Sequence, residues 1–283
     1  MTRTFPANDG RLLAYQDTDT PGPVVLCLPG LTRNSRDFAG LARHLAPRYR
    51  VLRLDPRGRG LSEWAAQPLA EYTLQAEAAD ALALLDHLGV ARAAIIGTSR
   101  GGLLGMMLGA GMPGRLSCLV LNDIGPVIEE EGLAFIMSYL GIEPEWDSFE
   151  AAARGLERTM GAAFPDLTPT QWRGFARTIF RDEDGRPRLS YDPRLRDAMG
   201  AATATTAEEQ PGLWPLFDAL AGLPLLAIRG ENSNILAAGT LAEMARRRPD
   251  MARVTVPRRG HPPFLDEPEA LAAIDGFLER HAQ

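Results

Sequence analysis

Gly97-Thr98-Ser99-Arg100-Gly101 sets a serine between two glycines, and a third glycine follows at position 102. The residues before it, Ala93 to Ile96, are apolar and strand-like. Those after it, Gly102 to Ala110, form an apolar helical stretch. A hydroxyl on a sharp strand-to-helix turn is held away from the sheet, and glycines keep Cβ atoms out of the crowded junction. The N–H groups that open the helix point at negative charge developing beside Ser99. The chemistry this arrangement suits is nucleophilic attack on a carbonyl. The competing reading of the same five residues is a glycine-rich turn with a capping serine.

A serine hydroxyl needs a base to become a nucleophile, and histidine is the usual one. The chain has four histidines. His44 and His87 fall on predicted helices, and His281 is third from the C-terminus. His261 lies in Arg258-Arg259-Gly260-His261-Pro262-Pro263, a loop between a predicted strand and the last helix. By elimination and context it is the candidate base. A tetrahedral intermediate would also need donors for its oxyanion. The candidates are the backbone N–H groups of Arg100, directly after Ser99, and of Leu31, in the Pro29-Gly30-Leu31-Thr32 loop.

These residues must be held by a scaffold, and the pattern around them supplies one. Short apolar runs at Val24–Leu28, Val51–Leu54, Ala93–Ile96, Leu116–Leu121, Pro224–Ile228 and Val254–Val256 alternate with helical patterns. Such alternation predicts an α/β fold with a mostly parallel sheet covered on both faces. From Pro126 to about Gln210 no strand is predicted; aromatics, arginines and helix formers dominate there. The expected organisation is a core of residues 1–125 and 211–283 carrying a helical insertion at 126–210.

The 283 residues are 45% hydrophobic with a formal net charge of −6. The charge gives no reason to expect nucleic acid or an anionic membrane as partner. No apolar run approaches spanning length. The N-terminal residues lack the apolar stretch of a secretory signal, so a cytoplasmic location is expected. The expected partner is a small-molecule substrate, and a homo-oligomer is compatible with the sequence. Cys27 and Cys118 sit in apolar runs and read as core residues; no metal site is indicated. The chain has no lysine, which excludes Schiff-base chemistry, pyridoxal phosphate attachment and a P-loop lysine.

Taken together, Leu28 to Phe38, Leu54 to Ser62 (with Asp55-Pro56-Arg57-Gly58-Arg59-Gly60 in it), Gly97 to Gly102, Val120 to Pro126, Arg229 to Asn234 and Gly260 to Glu269 resemble the α/β-hydrolase family along nearly the whole chain. It is similar to the esterases, lactonases and carbon–carbon bond hydrolases of that family that need no cofactor. The resemblance implies an eight-stranded, mostly parallel sheet, a cap after strand six, and a triad in the order Ser, acid, His. A dehalogenase of this fold would need a carboxylate where Ser99 stands.

The acid departs from the family pattern. The resemblance implies an Asp after strand seven, in Arg-Gly-Glu-x-Ser-Asp, where this chain reads Arg229-Gly230-Glu231-Asn232-Ser233-Asn234. An amide accepts the imidazole N–H but carries no charge, and the equivalent change in a Ser-His-Asp triad costs about 10⁴ in rate, or roughly 5.5 kcal/mol. Asp123, at the end of strand six, is the alternative carboxylate, as in some relatives. Glu231 is a further candidate. Asp123 also fits a turn cap.

Trp146, Trp172, Phe175, Phe180 and Tyr191 are either the lining of an apolar pocket or the insertion's own core. Trp172, Phe175 and Trp214 are the candidate substrate-binding residues. Arg173, Arg177 and Arg181 recur at helical spacing, fitting a carboxylate site or a solvated face. The function expected is hydrolysis of a small or medium carboxylic ester or lactone through an acyl-serine. The alternatives are a carbon–carbon bond hydrolase of diketone-like substrates and a ligand-binding pseudo-enzyme, the latter motivated by Asn234.

Overall fold

The computed structural model describes residues 2–203 and 212–283. The expected boundary at 210/211 lies outside the described residues. Eight strands form one sheet: β1 (Thr2–Pro6), β2 (Leu12–Asp17), β3 (Val24–Leu28), β4 (Arg50–Leu54), β5 (Ala93–Thr98), β6 (Leu116–Asn122), β9 (Leu225–Gly230) and β10 (Ala252–Val256). Their order is β1-β2-β4-β3-β5-β6-β9-β10. The β1/β2 and β2/β4 pairs are antiparallel and all others parallel, as expected. β1 has no counterpart in the sequence reading. It is a five-residue edge strand with only Phe5 buried, so it carries no apolar run to read.

The apolar strand runs follow from burial on both faces. In β3, Leu26 and Leu28 pack on one side with α3 (Leu74–His87) and α4 (Arg100–Gly111). Val25 and Cys27 pack on the other with α1 (Ala39–Leu45) and α11 (Pro268–His281). Burial pushes the Cys27 and Cys118 thiols up to about 12, in keeping with inert core residues. Further helices are α2 (Pro68–Glu71), α9 (Trp214–Asp218) and α10 (Ala238–Arg247).

Between β6 and β9 the chain leaves the sheet. It forms α5 (Glu130–Tyr139), α6 (Phe149–Met160), α7 (Pro169–Ile179), the strands β7 (Phe180–Glu183) and β8 (Arg186–Leu189), and α8 (Leu195–Thr203). The antiparallel β7–β8 hairpin corrects the expectation that no strand occurs here. Its strands are charged rather than apolar, which hid them. Its turn, Asp184-Gly185, has φ of 51° and 82°, the two positive values that favour Asp-Gly in two-residue hairpins.

Gly185 is exposed and adopts a backbone region that costs an L-residue about 1–2 kcal/mol. Gly185→Ala is therefore expected to lower unfolding stability by about 1 kcal/mol, read from chemical denaturation. An unchanged midpoint and slope would show that the turn does not constrain the hairpin.

Candidate active site

The parallel register aligns the carboxyl ends of four strands. Thr98 lies beside Asn122, Asn122 beside Ile228, and Gly230 beside Val256. The loops leaving these ends converge, which is where open α/β sheets collect their functional groups.

Ser99 follows β5 directly, with φ 51° and ψ −118°, and α4 begins at the next residue. A positive φ on a serine is strained, and the two flanking glycines are what allow it. A Cβ on Gly97 would lie 2.3 Å from the Gly101 carbonyl oxygen. One on Gly101 would lie 2.0 Å from the Leu28 carbonyl oxygen. The spacing read in the sequence is thus a steric requirement of the turn.

His261 arrives from the loop between β10 and α11. Its Nε2 lies 3.0 Å from Ser99 Oγ, and its Nδ1 lies 2.8 Å from Asp123 Oδ2. A carboxylate only accepts, so Nδ1 carries the hydrogen and Nε2 presents its lone pair to the Ser99 hydroxyl. Asp123 is fully buried, with φ 56°, directly after β6. Its Oδ1 accepts the Gly230 N–H at 2.8 Å, and its Oδ2 also accepts the Ser233 hydroxyl at 2.6 Å.

The two candidate acids are therefore placed differently. Asp123 meets the imidazole. Asn234 does not: its backbone carbonyl packs 2.2 Å from where a Gly132 Cβ would stand, at the start of α5. The loop in which the family pattern would place the acid here supplies donors to Asp123 instead. Glu231 is exposed and accepts the Arg258 N–H at 2.8 Å.

Leu31 and Ser99 line one cavity of about 380 Å³. A Cβ on Gly30 would lie 3.6 Å from that of Ser99, so the Leu31 loop passes close to the serine. Neither the Leu31 nor the Arg100 backbone N–H is taken by another hydrogen bond among the described residues. Both remain available to an oxyanion.

The cavity wall opposite Ser99 and His261 comes from the 126–203 segment, including Phe135, Tyr139, Trp146, Phe175, Phe180 and Tyr191. Of the three candidate substrate-binding residues, only Phe175 lines it. Trp172 is buried in the segment's own core, edge-on to Phe164 and Phe175. Trp214 sits on α9 beneath the Arg247 guanidinium, 4.0 Å from the ring centre, away from the cavity. The sequence reading missed Phe135 and Tyr139, whose i, i+4 spacing on α5 was the available signal. It also missed Arg33, which lines the cavity while paired with Asp37 and stacked over Phe175. Arg173 and Arg181 are exposed and pair with Glu150 and Glu183; Arg177 lies over the Phe149 ring. They form a solvated face. Among the described residues no cluster of metal-ligating side chains occurs, and no helix is long and apolar enough to cross a membrane.

A family model described as alpha/beta hydrolase fold matches residues 23–268. A 3-hydroxybutyrate-oligomer hydrolase of Cupriavidus necator is 36% identical over 280 residues, which cover 96% of this chain and 94% of that protein. A 2-(acetamidomethylene)succinate hydrolase of Mesorhizobium japonicum is 29% identical over 274 residues, 95% of this chain and 93% of that one. The crystal structure of an alpha/beta hydrolase from Novosphingobium aromaticivorans covers 99% of this chain and 98% of its own, with a TM-score of 0.92 and 44% identity.

The Nδ1–H of His261, shared with a buried carboxylate, should give a low-field imidazole resonance in proton NMR spectra in water. The resonance is expected in the native protein and in Asn234→Ala, and is expected to vanish in Asp123→Ala. Its loss in Asn234→Ala instead would refute the pairing.

Proposed function

Because this chain belongs to the alpha/beta hydrolase fold family and is a hydrolase, we propose that it cleaves a small or medium carboxylic ester or lactone through an acyl-Ser99 intermediate. The observation that carries this reading is the continuous hydrogen-bonded line from Asp123 through His261 to Ser99. Ser99 Oγ attacks the carbonyl carbon while His261 Nε2 takes the hydroxyl proton. The oxyanion is received by the Leu31 and Arg100 N–H groups. Collapse of the intermediate expels the alcohol, which takes the proton from Nε2. Water, deprotonated by the same nitrogen, then releases the acid. Asp123 holds the imidazole in its tautomer and stabilises the imidazolium.

The 126–203 segment acts as the cap over this site. Its contribution to the cavity is mostly aromatic and aliphatic, which suits an uncharged acyl chain better than a dianion. The Cupriavidus necator relative is named for hydrolysis of 3-hydroxybutyrate oligomers. Short oligomers of 3-hydroxy acid esters fit both the chemistry and the cavity and are the substrate class proposed. The pseudo-enzyme reading drew on Asn234 as a defective acid, and the contact between Asp123 and His261 removes its motive. No feature of the site favours carbon–carbon bond cleavage.

With a p-nitrophenyl butyrate probe, the native protein should show a burst of p-nitrophenol and an intact-mass increase of one butyryl group. Ser99→Ala should lose both, with turnover down about 10⁶-fold. Asp123→Asn should lower kcat about 10⁴-fold, and Asn234→Asp should change it little. A butyryl adduct that persists in Ser99→Ala, or a large gain from Asn234→Asp, would reject the assignment.

A further inference from the structure

Three charged side chains that take no part in the proton path, those of Arg59, Glu77 and Arg100, are joined by hydrogen bonds. Arg59 is wholly buried, and its Nε–H donates to the Leu31 carbonyl at 2.8 Å. Its Nη1 donates to the Arg57 carbonyl at 2.7 Å and to Glu77 Oε1 at 2.9 Å. Glu77, in the first turn of α3, is 2% exposed. It accepts from the Arg100 side chain as well, Nε to Oε2 at 2.9 Å and Nη2 to Oε1 at 3.0 Å. One buried carboxylate thus ties together the two residues whose N–H groups are available to an oxyanion, Arg100 directly and Leu31 through Arg59.

Stability alone is a weak reason for this arrangement. Buried ion networks cost desolvation and are often replaceable by apolar side chains without loss. Burial alone pushes the Glu77 carboxyl up, yet the Arg100 and Arg59 guanidiniums outweigh it and hold it below the usual carboxylate range. Two guanidiniums share one carboxylate, so the cluster is net positive. Arg59 also keeps one buried nitrogen, Nη2, without a partner. The Arg59 backbone additionally bridges Tyr191, which lines the cavity.

We propose that Glu77 is a positioning residue for acyl transfer: through Arg59 and Arg100 it sets the separation and direction of the Leu31 and Arg100 N–H groups that receive the oxyanion. This rests on the acyl-serine reading above. Donors must lie within a few tenths of an ångström of the oxyanion site to act, and the Leu31 loop and the start of α4 are separate stretches of chain with no direct hydrogen bond between their donor peptides among the described residues. The Glu77 carboxylate fixes both relative to each other. A rigid clamp of this kind acts on the transition state and leaves the ground-state complex nearly unchanged.

The test compares native protein, Glu77→Gln and Arg100→Met, the second being less buried and so less exposed to a folding failure. Each is assayed on p-nitrophenyl butyrate and titrated with an alkyl trifluoromethyl ketone, whose serine adduct carries an oxyanion. Removal of an oxyanion donor costs about 10²–10³ in kcat, so a displaced donor is expected to cost about 10- to 100-fold. The expected result is that loss in kcat with KM within about threefold of native, and an equal loss in trifluoromethyl ketone affinity. Butyrylation of Ser99 should remain detectable by mass, only slower. Unchanged ketone affinity beside reduced turnover, or native kcat in folded Arg100→Met, would overturn the inference. A native protein that never acquires the butyryl group would instead overturn the acyl-serine reading beneath it.

Discussion

The buried charge of Asp123 is the constraint on which the site depends. A carboxylate withdrawn from water at the end of β6 is costly unless donors surround it. Here three do so: the Gly230 N–H, the Ser233 hydroxyl and the His261 Nδ1–H. They come from the last residue of β9 and from the loops after β9 and β10, so one charge fastens three strand ends together and sets the plane of the imidazole in the same act. The sheet makes this possible, because parallel strands in register bring their carboxyl ends to one edge. Removing the charge would take from His261, Gly230 and Ser233 the acceptor they share.

A second charged group joins the Leu31 loop to the start of α4. Asp123 accepts from the imidazole that is hydrogen-bonded to Ser99. Arg59 and Arg100 share Glu77, two guanidiniums on one carboxylate, and Arg59 reaches the Leu31 carbonyl. In the proposed acyl transfer both groups are in place before substrate binds. Such preorganisation is worth more than flexible polar groups, because nothing need reorganise as charge develops. The strained serine fits the same logic. Its φ of 51° is a cost the surrounding packing bears so that Oγ stands clear of the sheet.

The 126–203 segment divides its aromatic residues between two tasks. Trp172 and Phe164 pack edge-to-face in a core of their own, joined by Phe264 stacked on Phe164 from the His261 loop. Phe135, Trp146 and Phe180 face the cavity. Phe175 belongs to both, and it is the ring over which Arg33 is stacked. The segment is therefore closely packed where it meets the His261 loop and apolar where it lines the cavity.

The sequence by itself determined the class of fold and singled out the serine and histidine that the structure brings within hydrogen-bonding distance. Each is a local matter: a serine between glycines at a strand–helix turn, one histidine in a structured loop, and apolar runs that only two-faced burial explains. It did not single out the carboxylate that meets the imidazole. Asn234 stands in the family's motif, while Asp123 lies 138 residues before the histidine it meets, and no periodicity links them. Nor did it sort Trp172 and Trp214, both away from the cavity, from Tyr139, which lines it, since an aromatic residue on a helix reads alike whether it faces core or cavity. The hairpin at β7–β8 stayed hidden because charged strands carry no apolar alternation, though Asp184-Gly185 announced its turn. Those decisions belong to the tertiary structure: a hydrogen bond between distant residues depends on which loops the sheet register brings within 3 Å, and local sequence carries no record of that distance.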